Sequence, residues 1–525
     1  MSASEIDGVI REAYRLVEPS IDDRRRIGYI ADTYTKRVKD IAAGYREVSN
    51  VVLVGSYAKD TWLAESVDID IFLKIRQEVD EERFEQVAMD VGLRALHDIN
   101  PYLRYAQHPY VEAIIDGVRV NVVPCYDVEM GRWRSAADRS PYHTEYMLKA
   151  LDDAKRREVR LLKRFMKVIG VYGAEIAVQG FSGYVCEVLI LKYGSFLNTL
   201  EGASRWREKE VIAIDSAMHR GEYGIDGSRS SRGSRDGNSS NSNSNSSNGN
   251  SSSNKSRSVH ARALRDMQMG MGNSPIIILD PVDTNRNLGL AISYESIGRF
   301  ILSARNFLRR PSINYFTYTT AHDQRIIDNS KVGNILIVCF KHSPRSEDII
   351  WGQLKSSATA IAKQLSINSF KVLRYTCYTD GSNAFISFML ESASIPRIML
   401  KHGPKVFDAN NAERFISKNK GMLLWISNED GRLLALAERR FHDAKQLLAH
   451  IMSDLEGSGI SKGLMDDIRS NGFKIYAGDE VEMFIKGSSI SSSSSSRDDA
   501  VVVASAVKKI VEYMLVNDRF AFAAE

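Results

Sequence analysis

The apolar positions of this chain change period several times, and each change marks an element. Across Asp22–Ala43 the residues Ile27, Ile30, Tyr34, Val38 and Ile41 fall at helical spacing, which predicts an amphipathic helix. A short apolar run, Val51–Val54, follows and stops at Gly55-Ser56. Asp68–Ile75 then alternates, with Asp68, Asp70, Phe72 and Lys74 on one face and Ile69, Ile71, Leu73 and Ile75 on the other. That predicts a half-buried strand. Glu81–Leu96 returns to the helical period through Phe84, Val87, Val91 and Ala95. Tyr110–Ile115 and Val118–Val123 flank Asp116-Gly117, the pattern of a two-residue β-hairpin. Residues up to about 135 therefore read as one mixed α/β unit.

Residues 145–200 are helical in pattern, including Glu158–Ile169 and Tyr184–Phe196. Between Gly224 and Arg257 the composition collapses to Ser, Asn, Gly and Arg. Such a tract has too little apolar surface to offset its ordering entropy, so disorder is expected there. Ordered sequence resumes at Pro275–Pro281. Asn334–Phe340, Phe370–Tyr378 and Ala384–Leu390 read as strands around a helix at Trp351–Leu365, a second α+β module with a ferredoxin-like pattern. Ser488–Ser496 is a second polar insert, and Ala500–Leu515 closes with a helix.

Composition narrows the classes. A chain of 525 residues suggests roughly three or four domains, and an apolar share of 43% is enough for several cores. Net charge is only +4, so any nucleic-acid surface has to be local. Arg299–Arg310 is one candidate, although an ordinary solvated helix face explains it as well. Cys125, Cys186, Cys339 and Cys377 each sit in an apolar run, and none is paired at CxxC spacing, so they read as core residues rather than zinc ligands. The N-terminus, MSASEIDGVIREAY, is charged and amphipathic, unlike a signal peptide. No apolar stretch approaches the ~20 residues that span a bilayer. No membrane partner is expected, and the location expected is cytoplasmic.

The strongest chemical signal is Gly55-Ser56 followed by Asp68-Ile69-Asp70. Nucleotidyl transfer uses two divalent ions, ~3.5–4 Å apart, to activate a hydroxyl and stabilise the leaving pyrophosphate. Carboxylates at i and i+2 of a strand share a face, so one short strand can hold both ions. Gly55 lets backbone approach a triphosphate closely, and Ser56 offers it a hydroxyl and an N–H. An Asp-x-Asp pair alone is more often a solvated strand face. The upstream Gly-Ser and the flanking apolar strand reverse that weighting.

The stretch GSYAKDTWLAESVDIDIFL resembles the polymerase-β-like nucleotidyltransferases, and among them the archaeal, class I CCA-adding enzymes. HPYVEAIIDGVRVNVVPCYDV, DRSPYH, EVRLLKRFMKVIGVYGAE, GFSGYVCEVLILKYGSF, DPVDTNRN, PSINYF and HGPKVFDANNAERFISKN continue that resemblance in order. It implies an α+β multidomain fold: a nucleotidyltransferase catalytic head (1–140), a helical nucleotide-binding neck (141–222), the Ser/Asn-rich insert (223–273) and a body (274–330). A body and tail region binding tRNA (331–525) follows, with ferredoxin-like elements and the second insert at 487–497.

It further implies addition or repair of the 3′-terminal CCA of tRNA from CTP and ATP, with Mg²⁺ as cofactor and a homodimeric assembly. Asp68 and Asp70 match the family's first two metal-binding carboxylates. Ser56 and Lys59 match triphosphate contacts, with Lys where the family usually has Arg. His143, Lys163 and Tyr172 match nucleotide contacts, and Arg286 matches the arginine that reads the base edge. Arg and Lys neutralise triphosphate charge, and a planar Arg fork can tell pyrimidine from purine edges. Read without the family, Lys163 is equally a surface helix lysine and Tyr172 a core aromatic. His402, Gly403, Pro404 and Phe407, with Arg439 and Arg440, are the candidates for the tail's tRNA contact, against a core role for Phe407.

One position departs from the family. Its third catalytic and metal-binding carboxylate falls on Asn121 here, in Val120-Asn121-Val122-Val123-Pro124-Cys125-Tyr126. An amide carbonyl ligates Mg²⁺ weakly and cannot act as a base, a role worth typically about 10²–10⁴-fold. With Asp116-Gly117 as the turn, Glu112 faces Asn121 on one side of the sheet. Glu112 is therefore either a replacement carboxylate or a rim residue that never reaches the ions. Two other functions stay open: an RNA-end-binding paralogue with weakened catalysis, favoured by Asn121, and another polymerase-β-like RNA adenylyltransferase.

Overall fold

The computed structural model describes residues 3–105, 107–214, 274–318, 329–486, 497–515, 518, 520 and 521. The Ser/Asn tract Gly224–Arg257 and the insert Ser488–Ser496 lie outside the described residues. The chain divides into two compact units, Met1–Thr320 with Asp518–Glu525, and Ala321–Asn517.

In the first unit, strands β1 (Val48–Val54), β2 (Asp68–Arg76), β3 (Tyr102–Tyr105), β4 (Pro109–Ile115) and β5 (Val118–Asp127) form one sheet. Its order is β1-β2-β5-β4-β3. Only β2 and β5 run parallel, and their register sets Asp70 opposite Asn121. The β4–β5 hairpin turns at Asp116 and Gly117, with φ of 49° and 75°. Positive φ at both positions is what a two-residue type I′ turn demands. Glu112 consequently pairs with Asn121, as the sequence pattern predicts. Ile69, Ile71, Leu73 and Ile75 are fully buried. They pack in one core with Ile27, Tyr34 and Val38 of the helix Ile21–Ala42 and with Phe84, Val87 and Val91 of the helix Glu81–Ala95. Each such aliphatic side chain contributes roughly 1.5–3 kcal/mol. That burial fixes which face of β2 turns inward, and so leaves Asp68 and Asp70 on the other.

The same unit holds the helices Arg139–Ala150, Asp153–Val168, Gly183–Tyr193, Phe196–Ala203 and Tyr294–Arg309, and a small parallel sheet of β6 (Glu210–Ile212) and β7 (Ile276–Ile278). The single helix expected over Tyr184–Phe196 is two. Gly194, at φ 87°, ends the first, and the Ser195 hydroxyl accepts from the Asn198 N–H to start the second. Phe165 anchors their shared core, stacked on Tyr315 at 5.4 Å with Phe196, Phe307 and Phe316 around it. Within Arg299–Arg310, Arg299 is spent on Glu295 and Asp518. Arg309 and Arg310 stay exposed.

In the second unit, β8 (Ile335–Lys341), β9 (Val372–Thr379), β10 (Asn383–Leu390) and β14 (Lys474–Ala477) form an antiparallel sheet in the order β14-β8-β10-β9. With the helix Glu347–Ile367 between β8 and β9, this is the ferredoxin-like order. Leu336, Val338 and Phe340 share a core with that helix, while Ile335, Ile337 and Cys339 share another with the helix Arg497–Leu515. Cover on both faces explains why β8 is one unbroken apolar run. Between β10 and β14 the chain inserts a small sheet, β11 (Ile398–Lys405), β13 (Arg432–Glu438) and β12 (Leu423–Ile426), which the sequence reading did not foresee. All four cysteines are buried and free. Among the described residues no helix is long and apolar enough to cross a membrane.

Candidate active site

The polar face of β2 meets the N-terminal end of the short helix Gly55–Ala58. Gly55 has φ 78°, a region that suits glycine. A Cβ there would collide with the Asp70 carboxylate, so Gly55 and Asp70 fit each other as a pair. The Gly55 N–H donates to Thr144 Oγ1 at 3.3 Å, tying this turn to the helix Arg139–Ala150.

A cavity of about 370 Å³ opens at this point. Its wall includes Gly55, Ser56, Lys59, Asp70, Asn121, His143, Lys163 and Tyr172, eight of the ten residues that the sequence suggests for catalysis, metal and nucleotide binding. Asp68 and Arg286 are not in that wall. The Asp68 side chain is 44% exposed, with Arg119 Nε 3.6 Å from its Oδ1. Partial burial raises its carboxyl above the usual range, Arg119 opposes that, and Glu112 adds to it. Burial pushes Asp70 up to about 6, against the hydrogen bond from Asn121 and with the help of Asp68.

Asn121 Nδ2 donates to Asp70 Oδ1 at 2.9 Å. Asn121 Oδ1 is buried and has no hydrogen-bond partner among the described residues. Glu112, though it pairs with Asn121 across the hairpin, accepts from Tyr102 Oη and from Arg104 (Nη2 at 3.3 Å), and it does not line the cavity. Two carboxylates on one strand face, with an unsatisfied oxygen beside them, are a donor set that suits hard divalent ions.

The opposite wall is cationic. Lys59 Nζ lies 2.6 Å from Glu187 Oε2 and sits over the Tyr184 ring. Lys163 Nζ donates to Thr61 O at 2.9 Å, Thr61 Oγ1 at 3.0 Å and Glu187 Oε1 at 3.4 Å. Its three N–H groups are thereby met, whereas among the described residues Lys59 Nζ donates to Glu187 alone. Glu187 is fully buried. Burial opposes its ionisation, but Lys59 and Lys163 together hold it below the usual carboxylate range. Burial pushes Lys163 down, and Glu187 opposes it. Gly183 leaves room for this arrangement, since a Cβ there would lie 2.8 Å from Tyr172 Oη.

A second buried carboxylate organises the base-side candidates. Asp280 is fully buried. It accepts from His143 Nε2 at 2.9 Å, Arg286 Nη1 at 3.3 Å, Tyr184 Oη at 3.2 Å and the Val282 N–H at 3.0 Å. Burial raises its pKa, and the His143 bond leads the groups that bring it below the usual range. An ionised Asp280 requires the proton of His143 on Nε2. The His143 ring stacks on Tyr184 at 4.0 Å. Sequence reasoning named neither Glu187 nor Asp280. The signal for Glu187 was a lone acid in the apolar run of GYVCEVLILKY.

This sheet, with paired aspartates on its open face and a Gly-Ser turn against them, defines a nucleotidyltransferase head. Residues 35–143 match the nucleotidyltransferase domain family. Residues 157–229 and 248–317 match "tRNA nucleotidyltransferase, second domain", and 332–478 match "CCA-adding enzyme, C-terminal domain". A CCA-adding enzyme of Saccharolobus shibatae is 33% identical over 438 residues, 83% of this chain and 90% of its own. One of Methanocaldococcus jannaschii is 30% identical over 462 residues, 87% of this chain and 93% of its own. One of Sulfurisphaera tokodaii is 34% identical over 432 residues, 82% and 88% of the two chains. The chain belongs to the CCA-adding enzyme family, the tRNA nucleotidyltransferases of archaeal type.

Proposed function

We propose that this enzyme adds or repairs the 3′-terminal CCA of tRNA from CTP and ATP without a nucleic-acid template. The observation that carries the reading is the cavity between β2 and the lysine pair, which offers a carboxylate edge on one side and ammonium groups on the other. A nucleoside triphosphate fits that polarity. In the reaction the 3′-hydroxyl oxygen of the RNA bonds to the α-phosphorus, the bond from that phosphorus to the α,β-bridging oxygen breaks, pyrophosphate leaves and the hydroxyl proton is released. Divalent ions, with Mg²⁺ the one proposed, would be held by Asp68, Asp70 and Asn121 and would stabilise the charge on the entering and leaving oxygens.

The chain's own groups do the rest. Lys59, which among the described residues donates only to Glu187, has N–H groups left for the triphosphate, and Ser56 supplies a hydroxyl and an N–H. Lys163, its donors met by Thr61 and Glu187, keeps Lys59 and Glu187 in register. Tyr172 packs at Gly183 along the same wall. His143 and Arg286, both fastened to Asp280, face the base. The names of the relatives support tRNA as the acceptor; a homodimer and a cytoplasmic location are part of the same proposal.

Asn121 favours a second reading, an RNA-end-binding relative that extends slowly or not at all. One assay separates the two: Mg²⁺, tRNA lacking CCA, and labelled CTP or ATP. Addition of two C residues and then one A is expected. Incorporation of ATP alone points to another adenylyltransferase, and tRNA binding without incorporation supports the second reading.

A further inference from the structure

Asn121 is oriented, not merely present. Its Nδ2 donates to Asp70 Oδ1 at 2.9 Å, and turning the amide over would set its oxygen against a carboxylate oxygen. The oxygen left over is buried, belongs to a residue of the cavity wall and has no partner among the described residues. A buried carbonyl oxygen in that state calls for a donor or a cation. Glu112 does not compensate for the missing charge, because it is engaged by Tyr102 and Arg104 outside the cavity wall. Arg119 near Asp68 reduces the negative charge further.

We infer that Asn121 makes divalent-ion binding in this chain conditional on the nucleotide. The amide oxygen serves as a neutral ligand, and the triphosphate supplies the negative charge that an aspartate at this position would contribute. This rests on the two-ion reading of Asp68 and Asp70. The affinity of an oxygen site for a hard cation follows the number of charged ligands. An aspartate at 121 would stand within hydrogen-bonding distance of Asp70 and repel it until a cation arrived. Asn121 removes that repulsion and, with it, much of the drive to bind an ion before nucleotide. The opposite wall acts in the same direction: Lys59 and Lys163 share the single carboxylate of Glu187, an arrangement that favours a triphosphate over a lone cation.

The test is a Mn²⁺ titration of the full chain followed by electron paramagnetic resonance, with and without a non-hydrolysable CTP analogue. D70A with the analogue gives the baseline for the ion that the analogue carries. Wild type is expected to bind Mn²⁺ weakly alone, and at least about 10-fold more tightly, above that baseline, with the analogue. N121D should bind Mn²⁺ without nucleotide, and its enhancement by the analogue should shrink to less than about 3-fold. N121L, of similar size but without a ligand, should lose the enhancement while keeping its melting temperature near wild type. E112Q should behave as wild type. Mn²⁺ binding by nucleotide-free wild type as tight as by N121D overturns the inference, as does N121L with its enhancement intact. Wild type indistinguishable from D70A in the presence of the analogue removes the two-ion site itself, a separate failure.

Discussion

At the residue scale the consequences centre on three positions of two neighbouring strands. Asp68→Ala or Asp70→Ala should abolish nucleotide incorporation and leave tRNA binding within a few-fold, if the carboxylates on this face hold ions rather than RNA as proposed. Near wild-type incorporation by either variant would sink the assignment. Asn121→Asp restores the charge and basicity that the family has here. Single-turnover incorporation should rise by about 10²-fold, while Glu112→Gln stays near wild type. The opposite ranking would make Glu112 the working carboxylate. Asp70 also sets a pH dependence. Its folded-state pKa is raised from 3.8 to about 6, so folding favours its protonated form. The stability this brings to the ion-free protein is present below about pH 4 and is lost as pH rises through about 6. A divalent ion that needs the ionised form should therefore raise the melting temperature more at pH 7.5 than at pH 5. Equal Mg²⁺ stabilisation at both values, measured by thermal melt with nucleotide present, would disconnect Asp70 from the ion.

At the element scale, two glycines separate fold from chemistry. Gly55 needs its positive φ and the absence of a Cβ against Asp70, so Gly55→Ala strains the turn and displaces a carboxylate. A displacement of about 1 Å at a reacting centre costs on the order of 10²-fold. Gly117 sits at φ 75° with open space around it, so Gly117→Ala should lower stability by roughly 1 kcal/mol and leave the rate alone. The same contrast explains what could be read from sequence. The alternation along Asp68–Ile75, the Asp-Gly hairpin and the strands around Trp351–Leu365 are local patterns, and they led to the correct sheet faces and register. Eight candidates share one cavity because the family motifs carry them together. Glu187 and Asp280 were missed because their meaning lies in partners from other segments, among them Lys59, 128 residues away, and His143, 137 residues away. The sheet β11-β13-β12 was missed for a related reason. Its strands leave Ile398, Leu400, Leu423 and Trp425 exposed, so no clean inward and outward alternation marks them.

At the scale of the whole molecule, CCA addition to tRNAs of differing sequence would need surfaces that read shape and backbone rather than sequence. Net charge of +4 offers no general attraction, so the contact has to come from local groups. In the second unit, Phe407 is 91% exposed, which removes the core explanation for it. Gly403 is required where it stands, since a Cβ would lie 2.9 Å from the Leu433 carbonyl oxygen and from the Phe415 ring. His402 and Arg440 are exposed, whereas Arg439 is held by the Pro396 carbonyl and the Ser369 hydroxyl. These differences sort the candidates by the kind of contact each can make. Arg440, exposed with its guanidinium over the Phe441 ring and in no ion pair among the described residues, can neutralise a phosphate, Arg439 is pinned as a support, and Phe407 can stack or pack without charge. Affinity for tRNA should fall linearly on a logarithmic salt scale, with about 0.7–0.9 of slope per phosphate neutralised. Arg440→Ala should weaken binding and flatten that slope by about one such step. Phe407→Ala should weaken binding at every salt concentration and leave the slope unchanged, because no counterion is released at an aromatic ring. Filter binding of several unrelated tRNAs between low and moderate salt checks both. Salt-independent binding, or a strong preference for one tRNA, would contradict backbone recognition. An unchanged slope in Arg440→Ala would move the phosphate contact elsewhere in the molecule, with the exposed Arg309 and Arg310 the next to test.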